Sequence, residues 1–181
     1  MKVQTAKHLR IALVIAAISV ICMAGMATAS TVIRMALPQL VQQADSIIQG
    51  RVDHTEVKWE QNLAVTYIYV TVEDPMKGAR RSTVVIRQLG GNIGAMHVEV
   101  SGMPKFSTGE EVILFLQARR DGNFQVLGMN QGKYQITDDY AVSNVSGINV
   151  YNPTTGRIET PAFVEKAPVE ALKSKIRELM K

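Results

Sequence analysis

His54 and His97 are the residues from position 30 onward best suited to hold a metal or move a proton. A catalytic zinc takes three protein ligands, usually with two His close together on one element. These two stand 43 residues apart among ordinary strand residues, so the spacing predicts surface or turn histidines and neither a metal site nor another cofactor. Ser101 would need a base and an acid delivered by folding, His97 with Glu99 or Asp121. Gly102 follows it, but the Gly-x-Ser-x-Gly elbow and its strand-to-helix turn are missing. The stretch Gly90-Gly91-Asn92-Ile93-Gly94 has the composition of a phosphate cradle. Such loops open a helix and carry a Lys-Ser/Thr pair, and neither follows here. The adjacent acids Glu110-Glu111 and Asp138-Asp139 point to opposite sides of a strand or turn, the wrong geometry for a shared glycosidic cleft, and read as solvated. Lys77, Arg80-Arg81 and Arg119-Arg120 read as solvated ends of turns. No familiar catalytic constellation is present, and the chain is expected not to be an enzyme.

What remains is a binding surface. Tyr67 and Tyr69 share one face of a strand, Trp59 lies near a bend, and Arg87 belongs to the following strand. These four are the candidate binding residues. Phe115 sits opposite the parity of Leu114 and Leu116. Small Greek-key barrels bind ligands on such faces, although alternating aromatics also fill cores.

The elements that carry these residues follow from periodicity. Leu37, Leu40, Val41 and Ala44 make one helix stripe with Pro38 in the first turn. From Ser46 the period is two. Ile48, Gly50 and Val52 share one parity and Val57 and Trp59 the other, which requires a bulge or bend within 53–56, a device by which small barrels turn corners. Val65 to Val72, Thr83 to Leu89, His97 to Val100, Val112 to Leu116, Phe124 to Leu127 and Lys133 to Ile136 read as strands. Turns are expected at 74–81, around Pro75 and Gly78, at 101–104, and at Asp121-Gly122-Asn123. A hairpin around Asn152-Pro153-Thr154-Thr155-Gly156 would join Ile148–Tyr151 to Arg157–Glu159. Val169, Leu172, Ile176 and Leu179 then form the apolar stripe of a docking helix.

The first 29 residues read as an export signal. Lys2, Lys7 and Arg10 precede an apolar run from Ile11 to Cys22, and Ala27-Thr28-Ala29 offers small residues where a signal peptidase reads. The run is shorter than the roughly 20 residues of a spanning helix, so cleavage before Ser30 and a secreted or periplasmic protein without a membrane span are expected. The chain has 20 Lys+Arg and 16 Asp+Glu, but 17 and 16 of these belong to residues 30–181. That near-neutral remainder lacks the positive field that drives nucleic-acid binding. It also lacks Cys, because the single Cys22 falls in the signal. The expected organisation is a signal at 1–29, a β-barrel domain at 30–137, and an extension at 138–181 with a small hairpin and an amphipathic helix packed on the barrel.

The runs Ala44-Asp45-Ser46-Ile47-Ile48-Gln49-Gly50-Arg51-Val52, Val70-Thr71-Val72-Glu73 with Lys77-Gly78, and Gly109-Glu110-Glu111-Val112-Ile113-Leu114-Phe115-Leu116 resemble a group of bacterial exported proteins of unassigned function. Their order is distantly similar to the netrin-like domain of tissue inhibitors of metalloproteinases. The resemblance implies a mainly β fold: a small OB/netrin-like Greek-key barrel with a short N-terminal helix and a C-terminal docking helix. It does not supply the inhibitors' amino-terminal cysteine, which has no counterpart from Ser30 onward. The expected function is therefore non-catalytic binding of a protein partner at the envelope or outside the cell, with metalloprotease inhibition or an unfamiliar hydrolase as alternatives.

Overall fold

The computed structural model describes residues 31–78, 80–145, 149–159 and 164–181; the expected signal, with Cys22 and Ser30, and Ile148 of the expected hairpin lie outside the described residues. In chain order the elements are β1 (Thr31–Ile33), α1 (Leu37–Gln43), β2 (Ser46–Glu60), β3 (Leu63–Lys77), β4 (Thr83–Leu89), β5 (Gly91–Ile93), β6 (Met96–Val98), β7 (Glu111–Ala118), β8 (Phe124–Val126), β9 (Lys133–Thr137), β10 (Tyr140–Asn144), β11 (Asn149–Asn152), β12 (Arg157–Glu159), β13 (Val164–Pro168) and α2 (Val169–Leu179). The protein is mainly β, with the short helix near its start and the helix at its end that the apolar spacing predicts.

Eight strands form one sheet in the order β13-β10-β9-β7-β2-β3-β4-β8, and β8 also pairs with β7. The second pairing closes β2, β3, β4, β8 and β7 into a ring. All contacts in that ring are antiparallel except β4 against β8, which meet in parallel at Ile86 and Phe124. The strands β9, β10 and β13 continue the sheet beyond the ring. β5 and β6 form a small hairpin, and β11 joins β1 in parallel and β12 antiparallel in a separate three-stranded sheet.

β2 supplies the corner. Its register against β3 shifts at Ile47/Ile48, at Gln49/Gly50 and between Val52 and His54, the last within the parity switch seen in the sequence. Gly50 permits the second shift, since a Cβ there would stand 2.3 Å from the Thr71 carbonyl oxygen. β3 runs past Pro75 to Lys77, where a turn was expected. β4 pairs with β3 only from Thr71 to Val65, so Pro75 lies beyond that pairing, where a missing N–H breaks no β3–β4 ladder bond.

Two cores share the wall between them. Ile48, Val52, Ile68, Val70, Val84, Ile86, Val112, Leu114, Leu116 and Phe124 fill the barrel. On the other side of the sheet, Ile47, Ile113, Phe115, Tyr134 and Ala141 pack under Leu40 and Val41 of α1 and Val169, Leu172 and Ile176 of α2. Alternate side chains of β7 thus enter different cores, as the period of two requires. Phe115 is fully buried in the helix-covered core and serves packing. Lys77 is a helix cap instead of a solvated turn end: its Nζ donates to the Val41 and Gln42 carbonyls at 2.7 and 3.1 Å, satisfying acceptors that the end of α1 leaves open.

Candidate functional site

The outer face of β2, β3 and β4 carries three of the four candidate residues. A two-residue turn, Gln61-Asn62, joins β2 to β3, both residues having positive φ, the geometry that suits a strand-twisted hairpin. This turn and the register shift after Val52 set His54 opposite Tyr69 and Glu56 opposite Tyr67. Across the next ladder Tyr69 faces Val85 and Tyr67 faces Arg87. Two rows result, Glu56–Tyr67–Arg87 and His54–Tyr69–Val85, with both tyrosines half-buried. Trp59 pairs with Ala64 and has the other parity. At 48 % exposed, it projects near the hairpin tip and does not join the tyrosine face.

Each polar tip on this face has a partner. The Tyr67 hydroxyl donates to Glu60, and Arg87 donates to the same carboxylate through Nε at 3.2 Å and Nη2 at 2.6 Å. The Tyr67 bond, then the Arg87 guanidinium, hold the Glu60 carboxyl below its ordinary range. Reciprocally, Glu60 raises the Tyr67 hydroxyl and the Arg87 guanidinium. Asp121, in the β7–β8 turn, lies 4.0 Å from Arg87 and 3.1 Å from Arg119. Farther along, the His54 and Tyr69 rings stack with centroids 4.3 Å apart. Lys58 pairs with Glu56 at 2.8 Å and stands 5.5 Å from the Tyr67 ring centre. Such mutual satisfaction fixes the rings in place and leaves their flanks as the available contact surface.

The sequence marked the tyrosines and Arg87 but missed Glu56, Lys58 and Glu60. Their alternation places them on this face once the turn is assigned to Gln61-Asn62. Gln is an atypical residue at positive φ, and the hairpin signal was correspondingly weak.

The other chemical candidates are dispersed. His97 contacts Asn92 and lies 3.6 Å from Glu99, whereas Asp121 is engaged with Arg119 and Arg87. No hydrogen bond joins Ser101 to His97 among the described residues. The loop after Gly90 forms the β5–β6 hairpin and opens no helix. Glu110 is not solvated: its side chain is 6 % exposed and meets Lys133 at 2.6 Å. No group of three His, Cys, Asp or Glu suited to a metal occurs among the described residues. Nor is any helix there long and apolar enough to cross a membrane. No protein-family model matches the chain, and no curated protein matches its sequence.

Proposed function

We propose that the chain is an exported, non-catalytic binding module that engages a protein partner at the cell envelope or outside the cell. The carrying observation is the face bearing Tyr67, Tyr69 and Arg87. Its rings are pre-positioned by Glu60 and His54, and neither tyrosine belongs to the core that α1 and α2 cover. Rigid aromatic and arginine side chains of this kind dominate the energetics of protein interfaces. The carboxylates of Glu56, Glu60 and Asp121 offset Lys58, Arg87 and Arg119, an arrangement that favours a protein surface over the phosphates of nucleic acid.

The strand order supports an OB-type assignment within this proposal. A five-stranded ring in which the third strand meets the fifth in parallel suits that architecture, whose second and third strands and adjoining turns are a recurrent binding face. Export rests on the basic, apolar and small-residue sections of residues 1–29.

The test compares wild-type protein with a Tyr67→Ala/Tyr69→Ala variant of unchanged circular dichroism, each immobilised and exposed to envelope and extracellular proteins. A partner identified on the wild type should bind the variant at least ~30-fold more weakly, the equivalent of about 2 kcal/mol at an interface hot spot. Equal affinity for both forms would remove this face from the function.

A further inference from the structure

The inner face of β2, β3 and β4 carries a different chemistry from the outer one. Thr66 on β3 stands between Val57 on β2 and Gln88 on β4, and in the next inward row Ile68 stands beside Thr55. These residues have the opposite parity to Tyr67 and Tyr69 and therefore point to the other side of the sheet, where Ile68 joins the barrel core. Along β4 the inward positions read Val84, Ile86, Gln88, an apolar alternation that ends in an amide. The β5–β6 hairpin and the segment 99–106 border this end of the barrel and enclose a cavity of about 490 Å³, a size typical of small-molecule sites. Its apolar lining includes Val57, Ile68, Leu89, Val98, Val100 and Phe106.

One polar atom in that lining is unmatched. The Thr66 hydroxyl donates to the Gly90 carbonyl at 2.6 Å. Gln88 Nε2 donates to the Pro104 carbonyl at 3.1 Å, which fixes the orientation of the amide. The other end of that amide, Oε1, is buried and is the side-chain oxygen left without a hydrogen-bond partner among the described residues. An acceptor in that state carries a free-energy cost that an arriving donor relieves, and because it is already out of water the bond does not have to desolvate it. The charged groups of the lining stand at its rim. Glu99 lies 2.8 Å from Lys105 and 3.6 Å from His97, and all three side chains are exposed, so these charges are paired with one another and screened by water.

An uncharged acceptor beside aliphatic walls selects a neutral donor on an apolar body. A carboxylate offers no donor, and an ammonium would have to leave water with a full charge to reach an uncharged amide. A hydroxyl is the smallest neutral donor, whereas an amide would bring a carbonyl that needs a donor of its own. We propose that the mouth of the barrel binds an uncharged alcohol, its apolar body against Val57, Ile68 and Phe106 and its hydroxyl donating to Gln88 Oε1. The inference stands apart from the strand-face proposal, because Tyr67 and Tyr69 lie on the outside of the same strands.

The experiment titrates the purified full chain with 1-hexanol, with its isomer methyl pentyl ether, which has no donor, and with hexanoate and hexylammonium at neutral pH. Binding is read from the backbone amide shifts of Gln88, Gly91 and Val98 by NMR. Saturable shifts with hexanol are expected, about tenfold tighter than with the ether, the effect of one hydrogen bond to a buried acceptor, and tighter than with either ion. Gln88→Met, which keeps the length of the side chain and removes the amide, should bring alcohol and ether to within about twofold of each other while ether binding persists. Gln88→Leu gives the same readout if Gln88→Met disturbs the 99–106 segment. Ether binding as tightly as hexanol, tighter binding of hexanoate or hexylammonium, a preference for the alcohol that survives both substitutions, or no saturable shift would overturn the proposal.

Discussion

Lys133 illustrates how one side chain is governed by what encloses it. Its side chain is 11 % exposed, it faces Glu110 at 2.6 Å, and its Nζ lies 4.6 Å from the centre of the Phe106 ring. Removal from water pulls its pKa below the ordinary lysine value, while Glu110 opposes that shift. The pair is thus balanced between desolvation and attraction. Glu110→Ala, which leaves the half-enclosed ammonium without its counter-charge and with only the Lys105 carbonyl as a partner, should cost roughly 3 kcal/mol in urea unfolding. A Glu110→Leu/Lys133→Met double variant should recover most of that loss. A single variant of wild-type stability would show that water reaches the lysine. From the sequence Glu110 was indistinguishable from Glu111, because its burial depends on a residue 23 positions later. The tyrosines were legible for the opposite reason: their alternation within one strand already defines a shared face.

Among the elements, β2 shows the most direct passage from sequence to geometry. The apolar parity change between Val52 and Val57 disclosed the register shift before His54. Two further shifts, nearer Ile47 and Gly50, left no such mark because their extra residues, Met76 and Glu73, lie on β3 and leave the alternation of β2 intact. At Gly50 the Thr71 carbonyl occupies the space a methyl would need. Gly50→Ala should therefore destabilise the protein by at least ~1–3 kcal/mol in chemical denaturation, the range for overpacking a close contact. Less than ~0.5 kcal/mol would mean that β3 moves aside easily. The short strands β1, β10 and β13 escaped sequence reading, since three to five residues of mixed polarity acquire strand character only from partners. Thr31–Ile33 depends on Asn149–Tyr151, more than one hundred positions away. By contrast, α2 was legible from its stripe alone, although its Lys173 and Arg177 contacts to Asp74, at 2.8 and 3.0 Å, were not.

For the whole molecule, the central fact is the shared wall. Closure of the ring, the outward strands β9, β10 and β13, and the placement of both helices are properties of pairings far apart in sequence. The sequence supported a barrel class through bends and short strands but did not specify the strands beyond it. β7 is buried on both faces, with Ile113 and Phe115 toward the helices and Val112, Leu114 and Leu116 inside the barrel. Neither apolar assembly can be completed without that strand, which must find β2 across about sixty intervening residues at a loop-closure cost. The molecule should consequently melt as one cooperative unit despite having two hydrophobic interiors. Leu114→Ala and Phe115→Ala, each expected to cost about 2–5 kcal/mol, should lower the same single transition, with far-ultraviolet circular dichroism and tyrosine fluorescence changing together. Separate transitions for the two variants would contradict this coupling. Cooperativity here resides in a single strand: β7 makes the barrel and its helical cover one thermodynamic object.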